Sequence, residues 1–256
     1  MPTENSINVD VAVLGAGPGG YAAAFHAAGM GMKVALIGED TRPGGVCLLR
    51  GCIPSKALLH VARLIHESRD AKDWGVTFAE PKIDLARLRE WKNGVVEKLT
   101  SGLMELAKRR DVQFIQGRGQ FTGSQTLKID LAEEGKGGPA QVRAENIILA
   151  TGSLPAVPAA MRLDDPRVMD STAALALADI PKRLCIIGGG YIGLESGTYY
   201  AALGSEVTVV ELTDGLLPGA DRDLVRVLHN HVAKHFKAIH LEYLFSGLKG
   251  ADWLAG

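Results

Sequence analysis

The sequence predicts an α/β protein with parallel sheets, and three observations carry that expectation. Short apolar runs at 9–14 and 183–187 each lead into a glycine-rich turn. Each turn is followed by a run of small, helix-compatible residues, 21–28 in the first case and 194–203 in the second. A further short apolar run, 33–37 and 206–210, closes each unit. The order strand, glycine turn, helix, strand is a βαβ unit, whose right-handed crossover forces the two strands to run parallel.

The bulk properties fit a packed chain. Of 256 residues, 46% are hydrophobic and 22% charged, which excludes extensive disorder. The formal net charge of -1 gives no basic excess for nucleic acid or an anionic membrane. Three cysteines, Cys47, Cys52 and Cys185, do not make a disulfide-stapled secreted fold. The start, Met1 to Ser6, has neither a basic nor an apolar signal region, and no uninterrupted apolar stretch approaches a membrane span. A soluble, cytoplasmic protein is the expectation.

In chain order, Val9–Leu14 is expected as a buried strand, Tyr21–Ala28 as a helix and Lys33–Ile37 as a second buried strand. Pro54–Asp70 carries Ala57, Leu58, Val61, Leu64 and Ile65 at helical spacing. Asp84–Arg110 is a second long helix with Asp84 as N-cap. Val112–Ile115, Thr126–Leu131 and Gln141–Leu149 read as strands, with Glu133–Pro139 a polar turn. Pro155 and Pro158 break the pattern, so the domain crossing is placed there: residues 1–154 form one domain and 155–256 another. Arg183–Ile187 is a buried strand, Leu194–Leu203 a helix and Glu206–Val210 a strand, and Cys185 is expected in the core.

Both glycine turns have the layout a dinucleotide requires. The first is Gly15, Gly17 and Gly20, with Glu39 19 residues on. The second is Gly188, Gly190 and Gly193, with Glu211 18 residues on. In such a turn the first glycine makes the bend, the second admits the pyrophosphate and the third lets helix and strand pack closely. The helix N-terminus offers unpaired N–H groups to the phosphates, and the acidic residue accepts from ribose hydroxyls. Two complete copies predict two Rossmann-like dinucleotide-binding domains. A carboxylate at Glu211, with no basic residue in Leu212 to Gly215, favours NAD over NADP.

Gly44-Gly45-Val46-Cys47-Leu48-Leu49-Arg50-Gly51-Cys52-Ile53-Pro54-Ser55-Lys56 follows the first unit. A disulfide closing so small a loop adds little chain-entropy stability, and a metal site lacks a second ligand pair. Redox exchange is the better reading, because a helix starting near Pro54, with Lys56 close by, favours a thiolate. His231 and His235 are spaced i, i+4 but have no third ligand, so they are expected on a solvated helix face, and no metal site is expected.

These residues resemble the flavoprotein disulfide reductases, and within them the dihydrolipoamide-oxidising branch. The markers are Gly15 to Gly20, the Cys47 to Lys56 block, Ala150-Thr151-Gly152 and Gly188 to Glu195, and the resemblance covers about residues 7 to 240. It implies an FAD domain followed by an NAD domain. Gly15, Gly17, Gly20 and Glu39 would hold the adenosine half of FAD, Gly44 and Gly45 its pyrophosphate, and Thr151 and Gly152 would pass beside it. Cys47 would be the interchange thiol and Cys52 the charge-transfer thiol, bridged as a disulfide when oxidised. Lys56 would sit at the flavin and pair with Glu195, and Tyr191 would shield the nicotinamide face. NAD would lie on Gly188, Gly190, Gly193 and Glu211. The implied partner is dihydrolipoamide on the lipoyl domain of a 2-oxo acid dehydrogenase complex, in a homodimeric family. Val46 and Leu49 stand where the family usually has Thr and Asn. The family's later flavin-binding segment and its C-terminal dimerisation domain are absent from these residues, and Leu241–Gly256 diverges. Two alternatives remain at this point: an NADPH-dependent disulfide or mercuric reductase, and a truncated product that binds nucleotide without turnover.

Overall fold

The computed structural model describes residues 5–132 and 138–244. The chain divides into two compact units. One takes the residues up to Pro54 together with Asn93–Leu154, the other Ser55–Lys92 together with the residues from Pro155 onward.

In the first unit, β1 (Ser6–Leu14) lies between β2 (Val34–Gly38) and β5 (Gln141–Leu149), parallel to both. The helix α1 (Pro18–Gly29) connects β1 to β2 and buries Gly20, Ala24, Phe25 and Ala27. Its small side chains let it lie close over Val11, Val13 and Leu36, which share one apolar cluster with it. Full burial of each such aliphatic side chain is worth about 1.5–3 kcal/mol. β3 (Val112–Gly123) pairs with β2 in parallel as far as Gln116, then antiparallel with β4 (Thr126–Leu131). β4 pairs antiparallel with β5, so the five strands close into one ring. Two strands are longer than expected for that reason. β1 begins at Ser6 because β5 offers a partner as far as Gln141, and β3 continues past Ile115 because it exchanges β2 for β4. Of the expected turn at Glu133–Pro139, residues 133–137 lie outside the described residues.

A short helix, α2 (Gly45–Arg50), and two long ones, α3 (Cys52–Asp70) and α4 (Leu85–Arg109), follow β2. Asp84 caps α4 as expected, accepting from the Arg87 N–H at 3.0 Å. The run Gly45–Trp74 is long and apolar enough by composition to cross a membrane. It is broken at Gly51, and its Leu58, Ala62 and Ile65 are buried in a protein core.

The second unit holds α5 (Ser171–Ala176), β6 (Arg183–Ile187), α6 (Tyr191–Leu203), β7 (Glu206–Val210), α7 (Arg222–Val232) and β8 (Ala238–His240). The strands are parallel in the order β6-β7-β8. The expected domain crossing gave all of 1–154 to the first part of the chain. Residues 55–92 instead belong to the second unit, because Leu58, Ala62 and Ile65 of α3 pack in one cluster with Leu175, Leu194, Tyr199 and Val207.

β6 corrects another expectation. It is an edge strand, not a buried one: Leu184 and Ile186 pack on the core, while Arg183, Cys185 and Ile187 are exposed. Cys185 is therefore not a core residue. A continuous apolar run conceals which of its faces is covered. Of the divergent stretch Leu241–Gly256, only 241–244 are described.

Candidate redox and dinucleotide site

In the first unit the candidate residues gather at the carboxyl ends of the parallel strands, where open α/β sheets bind ligands. Gly15 follows β1, Glu39 follows β2, and Thr151 and Gly152 follow β5. Gly15 has φ +108°, and a Cβ there would stand 2.1 Å from the Ala150 carbonyl oxygen. The absent side chain is what lets the end of β5 pass directly over the turn. A Cβ on Gly20 would meet the Gly15 oxygen at 1.7 Å, so helix and strand approach as the motif requires. Gly17 is the N-cap of α1 and accepts from the Tyr21 N–H at 2.9 Å. The Gly44 N–H donates to the Ala16 carbonyl at 2.8 Å, and a Cβ on Gly45 would lie 2.5 Å from the Gly17 Cα. The start of α2 is thus seated against the first turn, leaving a side-chain-free cradle of the kind a pyrophosphate needs. Glu39 is exposed, with Arg118 Nε 4.0 Å from its Oε1.

That same seating carries the cysteines. Cys47 lies in α2, half-buried, and Cys52 opens α3, exposed. Between them Gly51 breaks the helix, with φ -143° and ψ -110°. A Cβ on Gly51 would lie 2.8 Å from the Val46 oxygen and 3.3 Å from the Cys47 Cα, so the chain folds back tightly between the two sulfurs. Tyr21, in the first turn of α1, responds to both. Burial pushes its hydroxyl pKa up, and negative charge on Cys47 and Cys52 adds to that. The sequence reading missed Arg50. Its guanidinium grips Asp40, next to Glu39, by Nη1 to Oδ1 at 2.7 Å and Nη2 to Oδ2 at 3.2 Å. Opposite charges ten residues apart carry no periodic signal, so only the fold pairs them.

The second turn belongs to the second unit. Gly188 follows β6, Gly190 is the N-cap of α6, and a Cβ on Gly193 would lie 2.4 Å from the Gly188 oxygen. Tyr191, the first residue of α6, is 68% exposed. Glu211 follows β7 and is buried. Its Oε2 accepts from the Gly189 N–H at 2.6 Å; its Oε1 accepts from Thr213 N–H and Oγ1, both at 2.8 Å. Burial raises the carboxyl pKa, but hydrogen bonds from Thr213, Gly189 and Leu212 outweigh it and hold the group below its ordinary value. The carboxylate is therefore a fixed anion at the edge of the turn. Lys56 and Glu195, 139 residues apart in sequence, meet here with Nζ 2.6 Å from Oε1. Ser55, also missed from sequence, donates to Oε2 of the same carboxylate at 2.5 Å.

His231 and His235 were expected on a solvated face. His231 is exposed, but His235 is half-buried past the end of α7, with its ring stacked on that of His66. Helical spacing could not show this, because α7 ends at Val232.

The chain matches the family model for pyridine nucleotide-disulphide oxidoreductases over residues 9–252. It is 48% identical over 246 residues to a dihydrolipoyl dehydrogenase of Haemophilus influenzae, covering 96% of this chain and 51% of that one. It is 41% identical over 248 residues to a dihydrolipoyl dehydrogenase of Halobacterium salinarum, covering 97% and 51%. Among solved structures, it is similar to the Cu(II) complex of the HOCl-induced flavoprotein disulfide reductase RclA from Escherichia coli, with a TM-score of 0.79 and 29% identity over 96% of this chain and 52% of the other. The chain spans about half the length of the curated relatives it matches. A family model matched over nearly the whole chain, together with relatives 41–48% identical across it, settles the kinship: the chain belongs to the pyridine nucleotide-disulphide oxidoreductase family.

Proposed function

We propose that this chain supplies the dithiol-exchange and dinucleotide-binding half of a dihydrolipoyl dehydrogenase, with FAD on the first turn and NAD on the second. The observation that carries the reading is the seating of α2: one element holds Cys47 and, through the Gly51 fold-back, Cys52 directly beside the Gly15–Gly20 cradle. The residues fit FAD there, because Gly15, Gly17, Gly44 and Gly45 leave backbone alone facing the phosphates, with Glu39 placed for a ribose and Thr151 and Gly152 beside it. Gly188, Gly190, Gly193 and Glu211 fit NAD, the fixed Glu211 anion repelling a 2′-phosphate. Tyr191 is the residue we assign to cover a nicotinamide face, a role its exposure at the start of α6 supports. The chain's own chemistry is thiol–disulfide exchange. A dihydrolipoamide thiolate attacks Cys47 of the oxidised pair; the S–S bond breaks and Cys52 leaves as thiolate. The second substrate thiol then attacks the substrate sulfur of the mixed disulfide and gives its proton to the departing Cys47, so lipoamide is released and two electrons and one proton have passed to the pair, with Cys52 still a thiolate. FAD held on the Gly15–Gly20 turn would supply the conversion of thiol-derived electrons into a hydride for a nicotinamide acceptor. Within the second unit Lys56 is held by Glu195 as an ion pair. The partner is a lipoyl domain of a 2-oxo acid dehydrogenase complex in the cytoplasm, and the full-length protein is a homodimer.

The test is an anaerobic titration of the FAD-reconstituted protein, with the remaining half restored. Dihydrolipoamide should produce a long-wavelength absorbance that NAD⁺ discharges, and Cys52→Ser should abolish it. A colourless protein, or discharge by NADP⁺ in preference to NAD⁺, overturns the reading.

A further inference from the structure

We infer that Ser55 is a positioning residue for the Lys56–Glu195 pair; the inference rests on the reading above for its catalytic meaning but not for its geometry. Glu195 has two carboxylate oxygens. Oε1 takes the Lys56 ammonium at 2.6 Å and Oε2 takes the Ser55 hydroxyl at 2.5 Å. The two donors are consecutive on α3, and consecutive helical side chains diverge by about 100°. One carboxylate can meet both only by lying across the gap between them, so the two bonds fix its rotation as a pair.

The partners differ in how firmly they hold. The Lys56 side chain is 60% exposed, and an ion pair to so open an ammonium is weak and mobile by itself. Ser55 is only 6% exposed, on the side of α3 that packs with Leu58 against Leu194 of α6. Its hydroxyl has little access to water, and a short O–H···O⁻ bond to a carboxylate is among the stronger neutral-to-charged contacts. Ser55 therefore anchors Glu195, and Glu195 in turn places the ammonium of Lys56. With the hydroxyl removed, Glu195 would keep its charge but lose its fixed direction, and its hold on the Lys56 ammonium would loosen.

The experiment compares Ser55→Ala, Ser55→Thr and Glu195→Gln with the unaltered protein in two states. Without flavin, Lys56 is acylated at one fixed pH by a small amine-directed ester, and its rate is read by mass spectrometry relative to Lys128 on β4. Glu195→Gln should raise the relative rate most, Ser55→Ala should raise it about threefold, and Ser55→Thr should restore it. An unchanged Lys56 rate in Ser55→Ala overturns the inference. So does a Ser55→Thr protein of unaltered Tm that reacts like Ser55→Ala. With flavin, Ser55→Ala should lower kcat about threefold or more at unchanged KM for dihydrolipoamide; a change confined to KM also overturns it. If the unaltered protein takes up no flavin, the functional reading fails, while the Lys56 rates still decide the role of Ser55.

Discussion

The imidazoles of His66 and His235 lie face to face, their centroids 3.9 Å apart and their planes 4° from parallel. His231 meets His235 edge-on at 5.2 Å. The stack joins α3 to the segment after α7, and Arg69, Asp70 and Lys234 supply the surrounding charge. Burial pushes the His66 pKa down to about 4, the positive potential of His235, Arg69 and His231 adds to this, and Asp70 opposes it. His235 is lowered too, first by burial. A proton on either ring is therefore disfavoured in the folded protein.

The sign follows by linkage. A folded-state value below the unfolded value of 6.5 means the unfolded chain binds more protons between the two, so stability is complete above about pH 6.5 and falls as pH drops toward 4. Discounted for the half-open edge of the stack, the loss is about 1–2 kcal/mol. Calorimetry from pH 7 to pH 4.5 should show a falling Tm, and His66→Gln should flatten that slope. An equal slope in both proteins would assign the acid sensitivity elsewhere.

Gly15→Ala should cost more than about 3 kcal/mol, because its Cβ would stand 2.1 Å from the Ala150 oxygen at a φ of +108°. Urea unfolding measures it. Gly190→Ala has open space around its Cβ and an extended backbone, and should cost far less.

Arg50 and Asp40 should show a coupling of about 1 kcal/mol in a double-mutant cycle, since the pair is bidentate yet partly exposed. The coupling should shrink with added salt. Reversing both charges should recover most of the stability lost in Arg50→Asp alone.

Glu211→Ala should leave the Gly189 and Thr213 N–H groups without their acceptor and cost about 1–3 kcal/mol. On the proposed assignment of NAD to this turn, the same change should weaken NADH binding more than NADPH binding, measured by fluorescence titration, because it would remove a ribose acceptor and the charge that opposes a 2′-phosphate. Equal weakening of both would make Glu211 purely a brace for the turn.

What the sequence by itself determined was local. The two strand–turn–helix–strand units, the glycine spacing, the acidic residues Glu39 and Glu211 and the Asp84 cap are set by φ requirements, steric clearance and short-range periodicity. Each of these acts within some twenty residues, so it leaves a pattern that can be read along the chain. The cysteine block, Gly44 to Lys56, is equally local, a run of thirteen residues. Only the tertiary structure decided which segments pack together: that 55–92 joins the later half of the chain, that Cys185 lies on an uncovered face, that Asp40 takes Arg50, that Ser55 shares Glu195 with Lys56, and that His235 finds His66. The long-range pairings among these are fixed by which apolar faces exclude water from each other, and a contact across 140 positions leaves no periodic trace in either partner's neighbourhood.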